Sequence, residues 1–346
     1  MKTKRNLIQI YLLCAVLLPA VAQAQLTFTT NNDAITITGY TGNPTVLNIP
    51  NTTNGLPVTS IAQNAFASCN SLTSVTIGTN VTSIGSSAFW YCIGLTNTTI
   101  PVSVTSIAPY VFGGCSSLPA ITVDTNNPIY SSVAGVLFDK SLATLIECPG
   151  GKAGNYTIPN SVTSIGQGAF FDCSTLNYVT IPNSVTNIGV QAFDWCNSLT
   201  NATIPASVIS IGFEAFRHCT SLTSVYFQGN TPNGGSDESM FNEVNTNVPV
   251  YYLTGTTNWG ATFGGLTMVL WNPQAQTSGP SFGVRTNRFG FNITGTMNIP
   301  IVVEAGTNLA GSWAPLRTCT LTNGLIYFSD PQWTNHPDRF YRLRSP

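Results

Sequence analysis

A fixed spacing runs through most of the chain: a phenylalanine is followed three residues later by a cysteine and six residues later by a leucine. The unit occurs six times, at successive steps of 23, 23, 58, 23 and 23 residues. The six units begin at Phe66, Phe89, Phe112, Phe170, Phe193 and Phe216. A short fixed period indicates a solenoid, in which each coil buries its apolar side chains only against its neighbours. Such a stack usually presents an extended surface rather than a catalytic pocket.

Each repeat predicts two short strands and a turn. The segment Leu72-Thr-Ser-Val75-Thr-Ile77 has the leucine-x-x-leucine-x-leucine pattern of a leucine-rich-repeat strand. A second extended segment follows, as in Val81-Thr-Ser-Ile84, and then an alanine–phenylalanine pair that we place on a single helical or 3₁₀ turn. We therefore predict a mostly β fold, with a leucine-rich-repeat solenoid of 23-residue coils followed by a small C-terminal β-sandwich-like domain.

The repeat also sets the predicted domain boundaries. The solenoid spans residues 25–231, and the 58-residue step places an inserted unit at about 124–159, where two alternating apolar runs predict a β-hairpin. Residues 232–272 are predicted to cap the open end of the stack. Residues 273–280 have the composition of a linker. Alternating runs in residues 281–346 predict about five strands of a separate domain.

The first 24 residues have the pattern of a secretory signal peptide. Basic residues precede an apolar run that ends in Ala22-Gln23-Ala24, which predicts cleavage after Ala24. A membrane anchor fits less well because the apolar run is short. A lipoprotein fits less well because Leu13, before Cys14, is too large for the usual lipid-attachment motif. No later stretch reaches the ~20 apolar residues of a membrane span. We expect a secreted or cell-surface protein.

Charge and motif content argue against several classes of function. Without the three basic residues of the signal peptide, nine basic residues stand against 13 acidic ones, a net charge of −4. Nucleic acid is therefore not an expected partner, since its binding needs a basic face. No cofactor or metal is predicted, because no C-x-x-C occurs and the two histidines are far apart in sequence. Motifs of the G-x-S-x-G and H-E-x-x-H type are also absent from the sequence.

The positions between each phenylalanine and cysteine hold the best candidates for a ligand-binding site. After the insertion they include Asp172, Asp194, Trp195, Arg217 and His218. Stacking of the coils predicts Asp194 beside Arg217, and the other three in one column. Aromatic groups beside a carboxylate and a guanidinium suit a carbohydrate or a peptide. The alternative is a set of solvated turn residues with a weak surface ion pair.

The sequence suggests two further sites, a pair of carboxyl groups and a row of threonines that ends in a tyrosine. Asp172 and Asp194 evoke the carboxyl pair of a glycosidase, but they lie on different columns of a turn, and we predict a protein that is not an enzyme. Tyr226 is a sixth binding candidate, because it interrupts a row of threonines. That row reflects either β-branched strand propensity or a binding face, for sugars or for ice. Its earlier members are Thr76, Thr99, Thr122, Thr180 and Thr203.

The six cysteines of the repeat form one predicted column. Neighbouring coils at ~5 Å would bring their Cα atoms within disulfide range, and export would permit oxidation. The alternative is a ladder of small buried thiols that serve as packing residues. Cys148 and Cys319 lie outside the repeat and are expected to be isolated.

The run from Ser161 to Pro182, SVTSIGQGAFFDCSTLNYVTIP, resembles the BspA-type leucine-rich repeat of bacterial surface proteins. Gly135-Val-Leu-Phe138 and the segment from Val250 to Gly260 look like recurrent parts of the same family, so the resemblance covers about residues 26–272. It implies a secreted or surface-displayed adhesion protein that binds an extracellular protein or glycan ligand, and it transfers no ligand-binding residues. The alternative is a structural envelope or display protein whose repeats act as a spacer.

The C-terminal domain has the opposite charge to the solenoid. Six arginines stand against Glu304, Asp330 and Asp338, a net charge of +3. This charge makes anionic envelope polymers a further candidate partner. It equally permits docking of the domain onto the acidic cap of its own solenoid.

Overall fold

The structure, a computed structural model, describes residues 25–31, 33–235, 237–336 and 338–345. The predicted signal peptide, residues 1–24, lies outside the described residues. In the described residues, the regular secondary structure is short β-strands joined by turns, with a single 3₁₀ helix at Trp333–Asn335. In these ranges, no helix has the length and apolar character needed to cross a membrane. The predicted fold class, a β-solenoid followed by a small β domain, is confirmed.

The strands are numbered in chain order. Those before the insertion are β1 Gln25–Asn31, β2 Ala34–Thr41, β3 Val46–Asn48, β4 Thr52–Thr53, β5 Leu56–Ile61, β6 Ser74–Thr76, β7 Ser83–Ile84, β8 Thr99–Ile100, β9 Ser106–Ile107 and β10 Thr122–Val123. Those of the insertion are β11 Tyr130–Val133, β12 Val136–Asp139, β13 Thr144–Glu147 and β14 Gly154–Thr157. Those of the later coils are β15 Ser164–Ile165, β16 Leu176–Thr180, β17 Asn187–Ile188, β18 Asn201–Ile204, β19 Ser210–Ile211, β20 Ser224–Phe227, β21 Val250–Leu253, β22 Thr262–Phe263 and β23 Leu266–Trp271. The C-terminal module contains β24 Gln274–Ala275, β25 Gly283–Arg285, β26 Arg288–Thr294, β27 Pro300–Gly306, β28 Ala314–Thr320, β29 Leu325–Asp330 and β30 Phe340–Arg344.

Two parallel ladders run along the solenoid. The first joins β5, β7 and β9 before the insertion, and β13, β15, β17 and β19 after it. The second joins β8 with β10, and further along joins β18, β20, β21 and β23. Equivalent residues are partners at each step, as Ile165 pairs with Ile188 and Ile188 with Ile211. The sequence period therefore becomes columns of equivalent side chains, one per coil.

The phenylalanine column forms the centre of the core. All six repeat phenylalanines are at most 1% exposed, and on each side of the insertion neighbouring rings lie nearly parallel. The centroid of Phe170 is 4.8 Å from that of Phe193, and Phe66 is 5.2 Å from Phe89. Burial of an aromatic ring contributes a large apolar area, and offset stacking adds to it. The predicted repeat register is thus the register of the core.

The cysteine column is a ladder of buried thiols. All eight cysteines in the described residues are free. The Sγ atom of Cys92 donates to the carbonyl of Phe66 at 3.1 Å, and Cys196 donates to the carbonyl of Phe170 at the same distance. Cys148 was expected to be isolated, but it is buried beside this column. The Sγ atom of Cys173 lies 3.6 Å from the backbone carbonyl oxygen of Cys148. The column therefore continues into the insertion.

The insertion is more folded than predicted. β12 and β13 pair antiparallel around the Asp139 turn, as expected for a hairpin. However, the first predicted arm is itself a hairpin of β11 and β12, because Ala134 and Gly135 adopt left-handed φ angles of 52° and 81°. Two consecutive left-handed residues make the turn that joins antiparallel strands most tightly. β13 then pairs with β15 and restarts the first ladder.

The alanine–phenylalanine segment is not a helical turn. Left-handed residues such as Asn64 and Ser68, with φ of 57° and 59°, separate consecutive tight turns. A left-handed residue cannot continue a right-handed helix, so the segment is a series of tight turns and not a helix. Its N–H groups alternate between the two kinds of bond: the Phe170 N–H donates to the Ala192 carbonyl of the next coil at 2.7 Å, and the Phe171 N–H donates within the turn to the Gly168 carbonyl at 2.9 Å.

The ends of the solenoid differ from its regular coils. At the start, β1 pairs antiparallel with β2, which begins the first ladder. Within the residues predicted as a cap, β21 and β23 extend the second ladder in parallel. The residues predicted as a linker contain β24, which pairs with β26 and so belongs to the C-terminal module.

The C-terminal module consists of two small sheets that dock on the side of the last coils. One sheet contains β24, β25, β26 and β29, and the other contains β27, β28 and β30. Their shared core, with Phe291 and Ile301, is continuous with Tyr226, Tyr251 and Trp271 of the solenoid. The Trp271 indole N–H donates to the Pro300 carbonyl at 2.8 Å. The docking surface is therefore mainly apolar.

Candidate functional site on the turn face

In each coil, one turn leads from the strand of the first ladder to the strand of the second. These turns form one side of the solenoid, here called the turn face. Each turn places two residues, four apart in sequence, in left-handed conformation. The first column holds Asn64, Ser87, Tyr110, Gly168, Gln191 and Glu214, and the second holds Ser68, Tyr91, Gly114, Asp172, Trp195 and His218. Left-handed φ costs non-glycine residues roughly 1–2 kcal/mol. Bulky side chains are therefore held here by the coil and not by local preference.

Trp195 and His218 lie one above the other in the second column. Their ring centroids are 3.9 Å apart with an interplanar angle of 20°. His218 Nδ1 lies 3.0 Å from Asp194 Oδ1, and the Asp194 side chain is almost completely buried. An ionised carboxylate only accepts, so Nδ1 carries the proton of this hydrogen bond. The result is a rigid aromatic pair whose indole is 38% exposed.

Arg217 has a different partner from the one expected. Its Nη1 donates to Glu214 Oε2 at 3.1 Å, while Asp194 bonds to His218. The predicted pair of Asp194 and Arg217 is not formed, because the left-handed turn directs Glu214 toward the guanidinium three residues later. Arg217 Nε has no hydrogen-bond partner among the described residues.

A chain of hydrogen bonds links coils on both sides of the insertion. Tyr110 Oη donates to Gln191 Oε1 at 2.6 Å, and Gln191 Nε2 donates to Glu214 Oε2 at 2.6 Å. Gln167 Nε2 donates to Tyr110 Oη at 3.3 Å. Tyr110 lies 81 residues before Gln191 in sequence. Tyr110, Gln191 and Glu214 of the first column therefore form a polar network that ends at Arg217.

The inserted unit contributes no turn of this kind to the turn face, and aromatic rings pack between the turns on either side of it. Phe171 contacts Tyr110 and Tyr91 edge to face, with centroids 5.5 and 6.3 Å apart. Glycines make room for these rings: a Cβ on Gly168 would lie 2.0 Å from the Tyr110 ring, and one on Gly114 would lie 3.0 Å from Tyr91. Any side chain at Gly168 would displace Tyr110 and break the connection between the two halves of the turn face.

Burial changes the acidity of the groups on this face. Desolvation raises the pKa of Asp194, and the hydrogen bond from His218 partly opposes that rise. Desolvation also raises the pKa of Asp172, against a hydrogen bond with Tyr91. Burial, with the Asp172 carboxylate as a further cause, raises the pKa of Tyr91 to about 12. The face therefore carries partly desolvated groups, in which hydrogen bonds to a ligand gain strength.

Five of the six sequence-predicted residues lie together on the turn face, and Tyr226 does not. Asp172, Asp194, Trp195, Arg217 and His218 occupy adjacent columns on successive coils. Tyr226 is 3% exposed and stacks on Tyr251 at 4.9 Å, within the core that docks the C-terminal module. The change from threonine to tyrosine marks this internal contact, so we leave Tyr226 out of the site.

Sequence reasoning missed the first column of the face. Tyr110, Gln191 and Glu214 each stand two residues before a repeat phenylalanine. The signal in the sequence is a change at this position of the 23-residue period, from small polar residues in the first two coils to tyrosine, glutamine and glutamate in later ones. Gln191 and Glu214 then lie next to Arg217, as the hydrogen bonds require.

The geometry suits binding by contact and hydrogen bonding. Trp195 offers an exposed ring, Arg217 a guanidinium that is 32% exposed, and Phe213 a further exposed ring. Within the described ranges, no group of three or more histidine, cysteine or acidic side chains is placed to hold a metal ion. The Asp194 carboxyl is hydrogen-bonded to the His218 ring.

Several solved structures are similar to this chain. A leucine-rich repeat protein from Eubacterium ventriosum is 22% identical, with a TM-score of 0.43 over 66% of this chain and 77% of that one. A leucine rich cell surface protein from Faecalibacterium prausnitzii is 22% identical, with a TM-score of 0.41 over 71% and 92%. The pneumococcal vaccine antigen PcpA is 14% identical, with a TM-score of 0.41 over 72% and 98%. Among the curated proteins, none matches this chain.

The repeat region also matches a protein family. The profile of the BspA type leucine rich repeat region matches six copies, in residues 40–145 and 150–250. The two matched ranges together make up more than half of the chain, and they contain the turn face and most of both ladders. The chain belongs to the family of proteins with BspA-type leucine-rich repeats.

Proposed function

We propose that this chain is a secreted or cell-surface binding protein, and not an enzyme, that holds an extracellular protein or carbohydrate ligand on the turn face. The observation that carries the proposal is the stack of Trp195 on His218, whose imidazole is held by a hydrogen bond to the buried Asp194 carboxylate. Proteins with BspA-type repeats are typically displayed on bacterial surfaces, and the predicted signal peptide agrees with export. Adhesion is the biological role that follows from these two features together.

The composition of the face supports ligand binding. Tryptophan, tyrosine and arginine provide most of the binding energy at protein interfaces. Trp195 and Arg217 stand side by side on neighbouring coils after the insertion, with Phe213 exposed by 53% on the same coil as Arg217. Their positions are already fixed by stacking and by the bond to Glu214. A ligand would therefore meet prearranged groups, which lowers the entropy cost of association.

The test is a binding screen with residues 25–346. Immobilised glycans and extracellular matrix proteins form the panel, and each positive ligand is titrated against three proteins: the wild type, Trp195→Ala and Arg217→Gln. We expect saturable binding that each change weakens about tenfold or more, as for central interface residues. Ser68→Ala, at the equivalent position of an early coil, is the matched control and should keep wild-type affinity.

Two outcomes of this screen would contradict the proposal. If a ligand binds saturably and both turn-face variants keep wild-type affinity, the site lies elsewhere. If folded protein binds no member of the panel, the role of the repeats as a display or spacer element is favoured over adhesion. Circular dichroism and thermal unfolding of each variant establish that a loss of binding is not a loss of fold.

A further inference from the structure

We propose that the outer face of the sheet formed by β25, β26 and β29 is a second binding site, for a polysaccharide that carries carboxylate groups. This face belongs to the C-terminal module and is distinct from the turn face. A groove of about 690 Å³ lies on it, lined by Arg285, Arg288, Asn292 and Tyr327 among others. That volume lies within the roughly 300–1,000 Å³ of small-molecule sites.

The first observation is a pair of arginines with no counter-charge. Arg285 and Arg288 are direct partners across the β25–β26 hairpin, so their side chains share one face of the sheet. Like charges directly opposite each other are destabilising. In the described parts of the chain, neither arginine forms a salt bridge, whereas Arg339, Arg342 and Arg344 all do. An anion between Arg285 and Arg288 would remove this repulsion.

The second observation is an aromatic ring that lies across the same face. Tyr327 on β29 is the register partner of Asn292, and its ring reaches along the sheet to Gly290. A Cβ on Gly290 would lie 2.2 Å from the Tyr327 hydroxyl, so only glycine leaves room for the ring. The side chain is nevertheless 40% exposed. A flat exposed ring is a platform on which the C–H face of a sugar can pack.

The two observations together select the ligand class. A guanidinium binds a carboxylate with two parallel hydrogen bonds, and the neighbouring Tyr327 ring takes a sugar ring rather than a bare anion. The Asn292 amide, which donates to Ser281 at 3.0 Å, adds a group that can bond sugar hydroxyls. The module docks on the solenoid through an apolar core, and both arginines are exposed. An acidic polysaccharide meets all of these requirements.

The test uses oligogalacturonate as the probe and its methyl ester as a matched neutral probe. Residues 25–346 are titrated with both by calorimetry. We expect binding of the acid form and at least about tenfold weaker binding of the ester, because charge-assisted bonds are lost. Arg285→Gln/Arg288→Gln and Tyr327→Ala should each weaken the acid form by a similar factor, while Tyr327→Phe should keep the affinity. Thr203→Ala, a change on β18 outside both proposed sites, should also keep it.

Three results would overturn the proposal. The first is an absence of oligogalacturonate binding by folded protein. The second is wild-type affinity in both Arg285→Gln/Arg288→Gln and Tyr327→Ala. The third is equal or tighter binding of dextran sulfate or a single-stranded oligonucleotide that Tyr327→Ala does not alter, since that would be charge attraction without recognition of a sugar. Tyr327→Phe also serves as the folding control, because it keeps the ring over Gly290.

Discussion

Glu147 Oε1 accepts the backbone N–H of Phe112 at 2.8 Å, at the point where the insertion interrupts the regular coils. In a regular coil this N–H donates to a backbone carbonyl of the next coil, as Phe170 does to Ala192. A side chain thus replaces a missing backbone acceptor. Glu147 is 2% exposed, and its Oε2 has no hydrogen-bond partner among the described residues. Burial raises the pKa of this carboxyl to about 8.

Stability should therefore fall as the pH rises between about 4.5 and 8. In this window the folded protein keeps the Glu147 proton and the unfolded chain, with its ordinary pKa of 4.5, releases it. Unfolding then releases a proton, so higher pH favours the unfolded state. Glu147→Gln removes this titration while it keeps an acceptor for Phe112. We expect the variant to gain stability relative to wild type by a few kcal/mol from pH 5 to pH 8.

Urea unfolding of both proteins at pH 5, 6, 7 and 8 measures this effect. The difference between the two proteins cancels the contributions of other raised groups, such as Asp172 and Asp194. A stability difference that does not change with pH would mean that Glu147 is ionised in the folded protein.

Phe170→Ala should lower the free energy of unfolding by about 3–5 kcal/mol, because it leaves a cavity in the centre of the core. Phe170 is fully buried and stacked on Phe193. Phe213→Ala, on the exposed surface three residues before the repeat phenylalanine of its own coil, is the control and should change stability by no more than about 0.5 kcal/mol. Equal effects of the two changes in chemical denaturation would refute the repeat register.

The register was predictable because every coil repeats it. Phe, Cys and Leu recur at fixed steps, and a period of identical residues has only one stacked arrangement. The replacement of a backbone acceptor by Glu147 was not predictable, since the insertion has no second copy with which to compare it. The same holds for Cys148, whose place beside Cys173 depends on where the insertion rejoins the stack.

The thiols of the cysteine column should be unreactive in the folded protein. Burial raises the pKa of Cys196 well above its ordinary value, and its Sγ donates to the Phe170 carbonyl. A thiol that is buried and protonated is a poor nucleophile. Residues 25–346 contain eight cysteines, and a thiol reagent should modify Cys319 first in the native state and all eight after denaturation. Fewer than eight reactive thiols in the denatured, unreduced protein would reveal a disulfide.

Tyr226→Thr should loosen the contact between the solenoid and the C-terminal module. The change restores the threonine found at this position in earlier coils, but it removes a buried ring that stacks on Tyr251. We expect a loss of about 2–4 kcal/mol in the free energy of unfolding. Limited proteolysis should then cut residues 272–281 faster, and Thr203→Ala on the preceding coil is the control. Unchanged cleavage and stability would show that the contact contributes little.

The turn face was only partly predictable. The stack of Trp195 on His218 follows from the period, because both residues occupy the same position of the repeat. The bond between Tyr110 and Gln191 does not, because it depends on how the insertion brings together coils that are 81 residues apart. The partner of Arg217 also depends on the left-handed turn at Glu214, which no residue preference indicates.

The proposed binding role is tested most directly by observing Trp195 while a ligand binds. All six tryptophans of residues 25–346 are labelled with 5-fluorotryptophan, and the Trp195 resonance is assigned with Trp195→Phe. The fluorine spectrum is then recorded during titration with the tightest ligand of the binding screen. We predict that the Trp195 resonance shifts with the same saturation curve as binding, while that of Trp313 in the C-terminal module stays in place. Saturable binding that leaves the Trp195 resonance unmoved would contradict the assignment of the turn face as the ligand site.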